Sequence, residues 1–155
     1  MIVIENLSSR TEDLHIVSGW LYSEWGRNNL KYWHSWVMHS NKIDDIPQTW
    51  GLYVDNELVG TYSLWLCDLQ SRQDLTPWFG GLYVCSTYRG KLINGKKLGE
   101  RMIVHAEKTL RELGYLEAYL FTDKSPEYYM RYGWIPVDTA VDDNDNPVII
   151  CKILL

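Results

Sequence analysis

The sequence predicts a mixed α/β (α+β) fold, and three observations carry that expectation. Strand-like apolar runs alternate with helical periodicity from residue 79 to residue 133. Leu98, Met102, Ala106, Leu110 and Leu113 form an apolar stripe at helical spacing. Turn signals such as Asp55-Asn56-Glu57, Gly114, Ser125-Pro126 and Gly133 separate the runs.

Taken in order, residues 2–5 form a short strand. Residues 11–25 form a helix, with Leu14, Val17, Leu21 and Trp25 on one face and Thr11 as N-cap. Gly26-Arg27-Asn28 breaks it, and Asn28 caps a second helix over 29–40. Residues 50–54 and 58–66 form a hairpin, 68–77 a polar loop, and 79–85 a buried strand. Asn94 caps the main helix, 95–113, which Gly114 stops. Glu107–Arg111 and Lys108–Glu112 are i,i+4 pairs on its outward face, and Gly99 marks a close backbone approach. A strand over 115–122, a short helix over 125–132, and strands 134–139 and 148–153 across the turn 142–147 follow. The order is β-α-α-β-β-β-α-β-α-β-β, read as one domain over residues 1–155.

Composition sets the class. Hydrophobic residues make up 46% and charged residues 23%, as in a soluble globular chain. No apolar run approaches membrane-spanning length, and residues 1–10 lack a signal-peptide layout. A net charge of −5 argues against nucleic acid as partner. The cysteines Cys67, Cys85 and Cys151 form no CxxC pair, so a reduced, cytoplasmic setting with all three buried is expected. His15, His34, His39 and His105 have no metal-ligand spacing, and His105 takes a structural role beside the main helix's apolar flank. Asp142-x-Asn144-x-Asn146 begins like a calcium loop, but Pro147 and Ile153 stand where glycine and glutamate are required; it is a turn. No metal is expected.

Against the acidic background, Arg89, Lys91, Lys96 and Lys97 gather next to a predicted helix N-terminus, where cations oppose the helix dipole. A strand entering a helix through such a loop favours a bound anion, typically a phosphate. Two loops of that kind compete. Gly90-x-x-x-x-Gly95-Lys96-Lys97 approaches the nucleotide-binding pattern, yet Lys97 replaces the hydroxyl that would bind magnesium.

The second comes from the flanking residues. Leu82-Tyr83-Val84, Tyr88-Arg89-Gly90-Lys91, Gly95-Lys96-Lys97-Leu98 and Tyr129-x-x-x-Gly133-Trp134 together resemble the GNAT superfamily of N-acetyltransferases over residues 79–136. The family's loop pattern is R/Q-x-x-G-x-G/A. Counted from Arg89, its small positions hold Leu92 and Asn94, and Gly95 arrives one residue late. Thr122 stands where many members have asparagine, and the strand 78–84 has no carboxylate where many place a general base.

The resemblance implies a mostly antiparallel central sheet of about six or seven strands flanked by about four helices. It implies acetyl-coenzyme A as cosubstrate, with backbone groups of Leu82, Tyr83 and Val84 pairing its pantetheine arm. Amides around Arg89, Gly90, Lys91, Leu92, Ile93, Asn94, Gly95, Lys96 and Lys97 would surround its pyrophosphate, those from about Lys91 to Lys96 holding it, and Tyr129 would protonate the leaving thiolate. The implied reaction is direct attack of an amine on the thioester.

Of the eight tryptophans, Trp20, Trp25, Trp33 and Trp36 fall in the first two helices, the acceptor side in the resembling family. In the second helix, aromatic residues spread too far round for one buried face, leaving surface for a ligand or a partner subunit. Trp25, Trp33, Trp36 and Trp78 are therefore the candidate acceptor residues, leaning toward a cationic amine held over aromatic faces. A small-molecule primary amine is the expected acceptor. A protein or peptide N-terminus and a catalytically silent acyl-coenzyme A-binding module remain the alternatives, with the chain monomeric or homodimeric. Asp68, Asp74 and Asp123 are the available carboxylates, and none is singled out as a base.

Overall fold

The computed structural model describes residues 1–26 and 29–155, so the Asn28 cap lies outside the described residues. Strand β1 (Ile2–Asn6) leads through short 3-10 turns into helices α1 (Leu14–Trp25) and α2 (Leu30–Met38). Then come β2 (Gln48–Val54), β3 (Glu57–Trp65) and β4 (Trp78–Val84). A small hairpin, β5 (Leu92–Ile93) and β6 (Lys96–Lys97), precedes helix α3 (Leu98–Glu112). β7 (Glu117–Thr122), α4 (Pro126–Met130), β8 (Ile135–Val141) and β9 (Pro147–Leu154) follow.

Among the described residues, seven strands pair in the order β1-β2-β3-β4-β7-β9-β8. All neighbours are antiparallel except β4 and β7, which run parallel. The β2–β3 hairpin turns on Asp55 and Asn56, both left-handed (φ 49° and 67°), the twist a two-residue hairpin needs.

Side-chain alternation sorts the helices onto two faces. Tyr53 points into a cluster with Leu14, Val17, Leu21 and Val37 of α1 and α2. Its neighbours Leu52 and Val54 point the other way, into the core that holds Leu98, Met102, Ile103, Ala106 and Leu110 of α3. Tyr128, Tyr129 and Tyr132 pack against that same core, so α4 lies on the α3 side.

Several expectations need correction. Asn94 does not cap α3; with Gly95 it forms the tip of the β5–β6 hairpin, both left-handed (φ 50° and 76°), and the helix starts at Leu98. Asn-Gly is the favoured pair for that turn, and the turn geometry prevailed over the capping propensity. Thr11 opens a 3-10 turn rather than α1. The α2 N-cap is Asn29, whose side chain accepts from the Tyr32 amide.

Glu107 is not on the outward face. It is 7% exposed and its carboxylate accepts from Trp134 Nε1 at 3.0 Å, because the segment after α4 covers that flank of α3. Burial pushes its carboxyl up. Of the cysteines only Cys151 is buried; Cys67 and Cys85 are half-buried. His105 does take a structural role, its Nδ1 lying 2.7 Å from the hydroxyl of buried Tyr62.

Candidate active site

The parallel seam between β4 and β7 is short. Trp78 is in register with Tyr119, and no further pair joins the two strands. Beyond that pair the strands part, which frees one backbone edge of β4 from a neighbouring strand. Opposite, the β3–β4 register slips between Thr61 and Ser63, so that Gly81 and Leu82 form a bulge against Tyr62. Gly81 is left-handed (φ 61°), a conformation that side chains resist. The bulge bends β4 away from β7 and widens the gap.

A cavity fills this gap. Phe79, Gly80, Gly81 and Leu82 line one wall and Leu120 and Phe121 the other, with Tyr129 from α4 beside them. Trp25, Tyr32, Trp33, Trp36 and Trp65 extend it toward α1 and α2, together with Asp68 and Asp143. The cavity therefore runs through the sheet from the α2 side to the α4 side. Trp36 meets Trp65 edge-on at 5.9 Å, and Tyr32 lies 5.8 Å from both Trp33 and Trp36. The buried indole nitrogens of Trp33, Trp36 and Trp65 have no hydrogen-bond partner among the described residues.

The glycines of β4 serve this wall. A β-carbon at Gly80 would lie 2.5 Å from Asp68 Oδ2 and 2.8 Å from the Trp65 ring. The Asp68 carboxylate thus rests directly on the β4 backbone, close to where the strand has lost its neighbour.

On the other side, α3 begins without a side-chain cap. Lys97 precedes it in extended backbone and offers no capping bond, so the first-turn N–H groups find no side-chain acceptor there. A β-carbon at Gly99 would lie 2.7 Å from the Tyr128 hydroxyl. The missing side chain lets α4 settle on the first turn of α3, and Tyr128 lies 5.1 Å ring to ring from Tyr129. Arg101 Nη2 donates to the carbonyls of Ile93 (2.7 Å) and Asn94 (3.4 Å), tying the β5–β6 hairpin to the helix.

The sequence-predicted residues divide accordingly. Leu82, Tyr129, Trp25, Trp33 and Trp36 come together around the cavity. Tyr83 stacks on Trp20 (5.0 Å) with the Arg89 guanidinium 5.2 Å from its ring, and Val84 packs toward the α3 core. Arg89 Nε donates to the Val84 carbonyl, and the Lys91 amide donates to Tyr88. Leu92 with Lys97, and Ile93 with Lys96, are joined as hairpin pairs, so the stretch from Lys91 to Lys96 is not a run of open amides. Gly90 is left-handed (φ 77°) at the preceding turn. Among the described residues, Arg89, Lys91, Lys96 and Lys97 are exposed and in no ion pair.

Trp78 stands apart. It is 0% exposed, donates from Nε1 to the Leu75 carbonyl at 2.6 Å, and packs with Leu69, Tyr119 and Ile150. It closes the seam at the base of the gap and does not line the cavity.

The sequence offers no site role for Trp65, Gly80, Gly81, Gly99 or Tyr128, and of its three available carboxylates, Asp68, Asp74 and Asp123, only Asp68 lines the cavity. Gly80-Gly81 inside a strand was a readable bulge signal. Counting R/Q-x-x-G-x-G/A from Asn94 instead of Arg89 puts Gly99 at the last small position, at the observed helix start.

Burial, foremost, pushes the Tyr129 hydroxyl up to about 12, with Tyr128, Cys151 and Asp123 adding to the effect. It therefore keeps its proton throughout the neutral range.

The family model of the GNAT acetyltransferases matches residues 12–134. The chain belongs to that family. Known GNAT structures share its whole length. It is similar to an aminoglycoside 6'-N-acetyltransferase complexed with coenzyme A, at 17% identity and a TM-score of 0.75, over 98% of this chain and 96% of that one. It is also similar to aminoglycoside 6'-acetyltransferase type Ii (18% identity, TM-score 0.72, 98% and 96% covered). The PaiA N-acetyltransferase of Thermoplasma acidophilum, in complex with coenzyme A, matches at 21% identity and a TM-score of 0.63, over 100% and 99%. At these identities the likeness shows the fold. No curated protein matches the sequence. Among the described residues, no group of side chains could hold a metal ion, and no helix is long and apolar enough to cross a membrane.

Proposed function

We propose that this GNAT protein moves an acetyl group from acetyl-coenzyme A directly to a primary amine of a small molecule, with residues 1–155 acting as one catalytic unit in the cytoplasm. The observation that carries the reading is the cavity through the parted β4–β7 seam, with Tyr129 on one side and an aromatic chamber on the other.

Coenzyme A fits the residues present. The free edge of β4 runs along Leu82, Tyr83 and Val84 and offers an extended pantetheine arm those backbone groups that do not face β3, the Val84 carbonyl also accepting from Arg89 Nε. The uncapped first turn of α3, Leu98 to Glu100, supplies N–H groups and the positive dipole end for a pyrophosphate, with Lys96 and Lys97 beside it. That assignment moves the phosphate contacts toward the helix start, since the hairpin occupies the earlier residues. Two of the similar structures are complexes with coenzyme A, which supports coenzyme A as the ligand.

Acetyl-coenzyme A supplies an activated acetyl thioester. Backbone N–H groups of the β4 bulge polarise its carbonyl. The acceptor enters from the α2 side and must lose a proton before its nitrogen can attack, because an amine near pKa 10 is mostly protonated at neutral pH. Tyr129 holds its proton and donates it to the leaving sulfur. Net, an ammonium and a thioester become an amide, a thiol and a released proton.

Tyr129→Phe tests the assignment. The expected result is a kcat lower by about 10²-fold, the scale of acid catalysis, with acetyl-coenzyme A affinity unchanged. An unchanged kcat would remove Tyr129 from the chemistry.

A further inference from the structure

Three indole N–H groups in the cavity wall, those of Trp33, Trp36 and Trp65, are buried and have no hydrogen-bond partner among the described residues. A buried indole N–H ordinarily finds an acceptor, because without one it gives up its hydration and gains nothing in return. A single orphan is within what native cores carry; three on one wall mark a site. The three rings border one space in common, the cavity through the β4–β7 seam. A second hollow, lined also by Ser35, His39, Pro47 and Leu66, borders Trp36 and Trp65 but not Trp33. An acceptor that serves all three therefore comes from what the seam cavity holds.

The donors are held in place. Trp65 is 5% exposed, and its benzo edge lies on the backbone of β4: a β-carbon at Gly80 would meet Cζ3 at 2.8 Å, and one at Gly81 would meet Cη2 at 3.1 Å. The pyrrole edge, which carries Nε1, is thus the edge turned from that strand. Trp36 meets Trp65 edge-on at 5.9 Å, and Tyr32 lies 5.8 Å from both Trp33 and Trp36, so one small molecule spans neighbouring donors. An indole N–H donates and never accepts, and it carries no charge that pH could change. The reacting amine cannot be its partner, since an ammonium has no lone pair and the neutral nitrogen uses its own on the acetyl carbon. The thioester offers a single carbonyl oxygen, assigned above to the β4 bulge.

We propose that the acceptor is an amino polyol, a primary amine whose carbon frame carries two or more hydroxyl or ether oxygens, and that Trp65, Trp36 and Trp33 donate to those oxygens. This rests on the acetyltransferase reading and names its substrate class. The ring faces cover the C–H groups between the oxygens, and the ring edges supply the polar contacts. The wall then selects by what it lacks: an oxygen-free amine leaves buried donors unpaired, whereas an amino polyol pairs them.

The test is a series matched in shape: aminopropanediol against methylbutylamine for two oxygens, and aminobutanol against pentylamine for one, followed by thiol release from acetyl-coenzyme A. Rates are expressed per neutral amine, because hydroxyl groups lower an amine's pKa. The expected gain in kcat/KM is about 10²-fold for the first pair and about tenfold for the second, the scale of pairing two buried donors and one. Trp65→Phe keeps a ring over the glycines and removes the N–H. It should lower the two-oxygen ratio by about tenfold with acetyl-coenzyme A affinity kept, which also shows that the variant is folded; Trp36→Phe gives the same reading should Trp65→Phe not fold. Equal kcat/KM within both pairs, or ratios that survive these variants, would overturn the proposal while leaving acetyl transfer intact. So would a loss in Trp65→Phe shared equally by all four amines, or weaker acetyl-coenzyme A binding, since the indole would then serve the thioester or the coenzyme. No turnover with any amine, alongside coenzyme binding, would overturn the acetyltransferase reading and this inference with it.

Discussion

The hydroxyl of Tyr128 stands over Gly99, 2.7 Å from where a β-carbon at that position would lie. This contact joins the first turn of α3, where phosphate is proposed to bind, to the helix that carries Tyr129. Any side chain at 99 must push one of them away.

Gly99→Ala is therefore expected to raise the KM for acetyl-coenzyme A and to cost about 1–3 kcal/mol, as overpacking does. Adding Tyr128→Phe removes the clashing oxygen and should recover part of both losses. A double-mutant cycle reads the coupling, and purely additive effects would show that the contact does not matter.

Burial, foremost, pushes the Tyr129 hydroxyl up to about 12. A raised pKa keeps the acid form to higher pH. The kcat profile should therefore show no falling limb from this group up to about pH 10, its ordinary value. A rising limb in kcat/KM reports loss of the proton from the amine. A kcat that falls between about pH 8 and 10, and does so less in Tyr129→Phe, would contradict the buried state of this hydroxyl.

Tryptophans of the seam and of the chamber should behave in opposite ways. Trp78→Ala removes a fully buried ring and should destabilise the fold by about 3–5 kcal/mol, measured by denaturant unfolding. Trp36→Ala opens a half-buried cavity wall; it should raise the amine KM several-fold, on the order of one lost cation–π contact, and leave acetyl-coenzyme A affinity unchanged.

His105 gives a pH-dependent stability. Its imidazole is held below the ordinary value, chiefly by burial and then by Lys108, while Glu112 acts the other way; Tyr62 and Thr109 face it as hydrogen-bond partners. The unfolded chain then takes up this proton at a higher pH than the folded one. Stability from neutral His105 is complete above about pH 6.5 and is lost as pH falls through the folded-state value. Melting temperatures at about pH 7.5 and about pH 5 should diverge more in the wild type than in His105→Gln. An equal drop in both would remove this role.

The element order was legible because each strand and helix carries its own period, and the stripe from Leu98 to Leu110 settled α3. The start of α3 was not, because Asn94 suits a helix cap as well as a hairpin tip, and local sequence does not choose between them. Trp78 and Trp33 are the same residue type; the register at Trp78 and Tyr119 decides that one seals the sheet and the other faces the cavity. Leu82 and Tyr129, named from short local motifs, both line the cavity. Asp68 could be named only as one carboxylate among three, with Asp74 and Asp123, because it reaches Gly80 through a loop fold that no spacing encodes.

The central claim is tested most directly by incubating the protein with acetyl-coenzyme A and aminopropanediol and measuring both products. The prediction is one N-acetylated amine for each thiol released, saturable in both substrates and about 10²-fold slower in Tyr129→Phe. Acetyl-coenzyme A that binds and yields no thiol above the enzyme-free rate, with aminopropanediol or with any other primary amine, would contradict it.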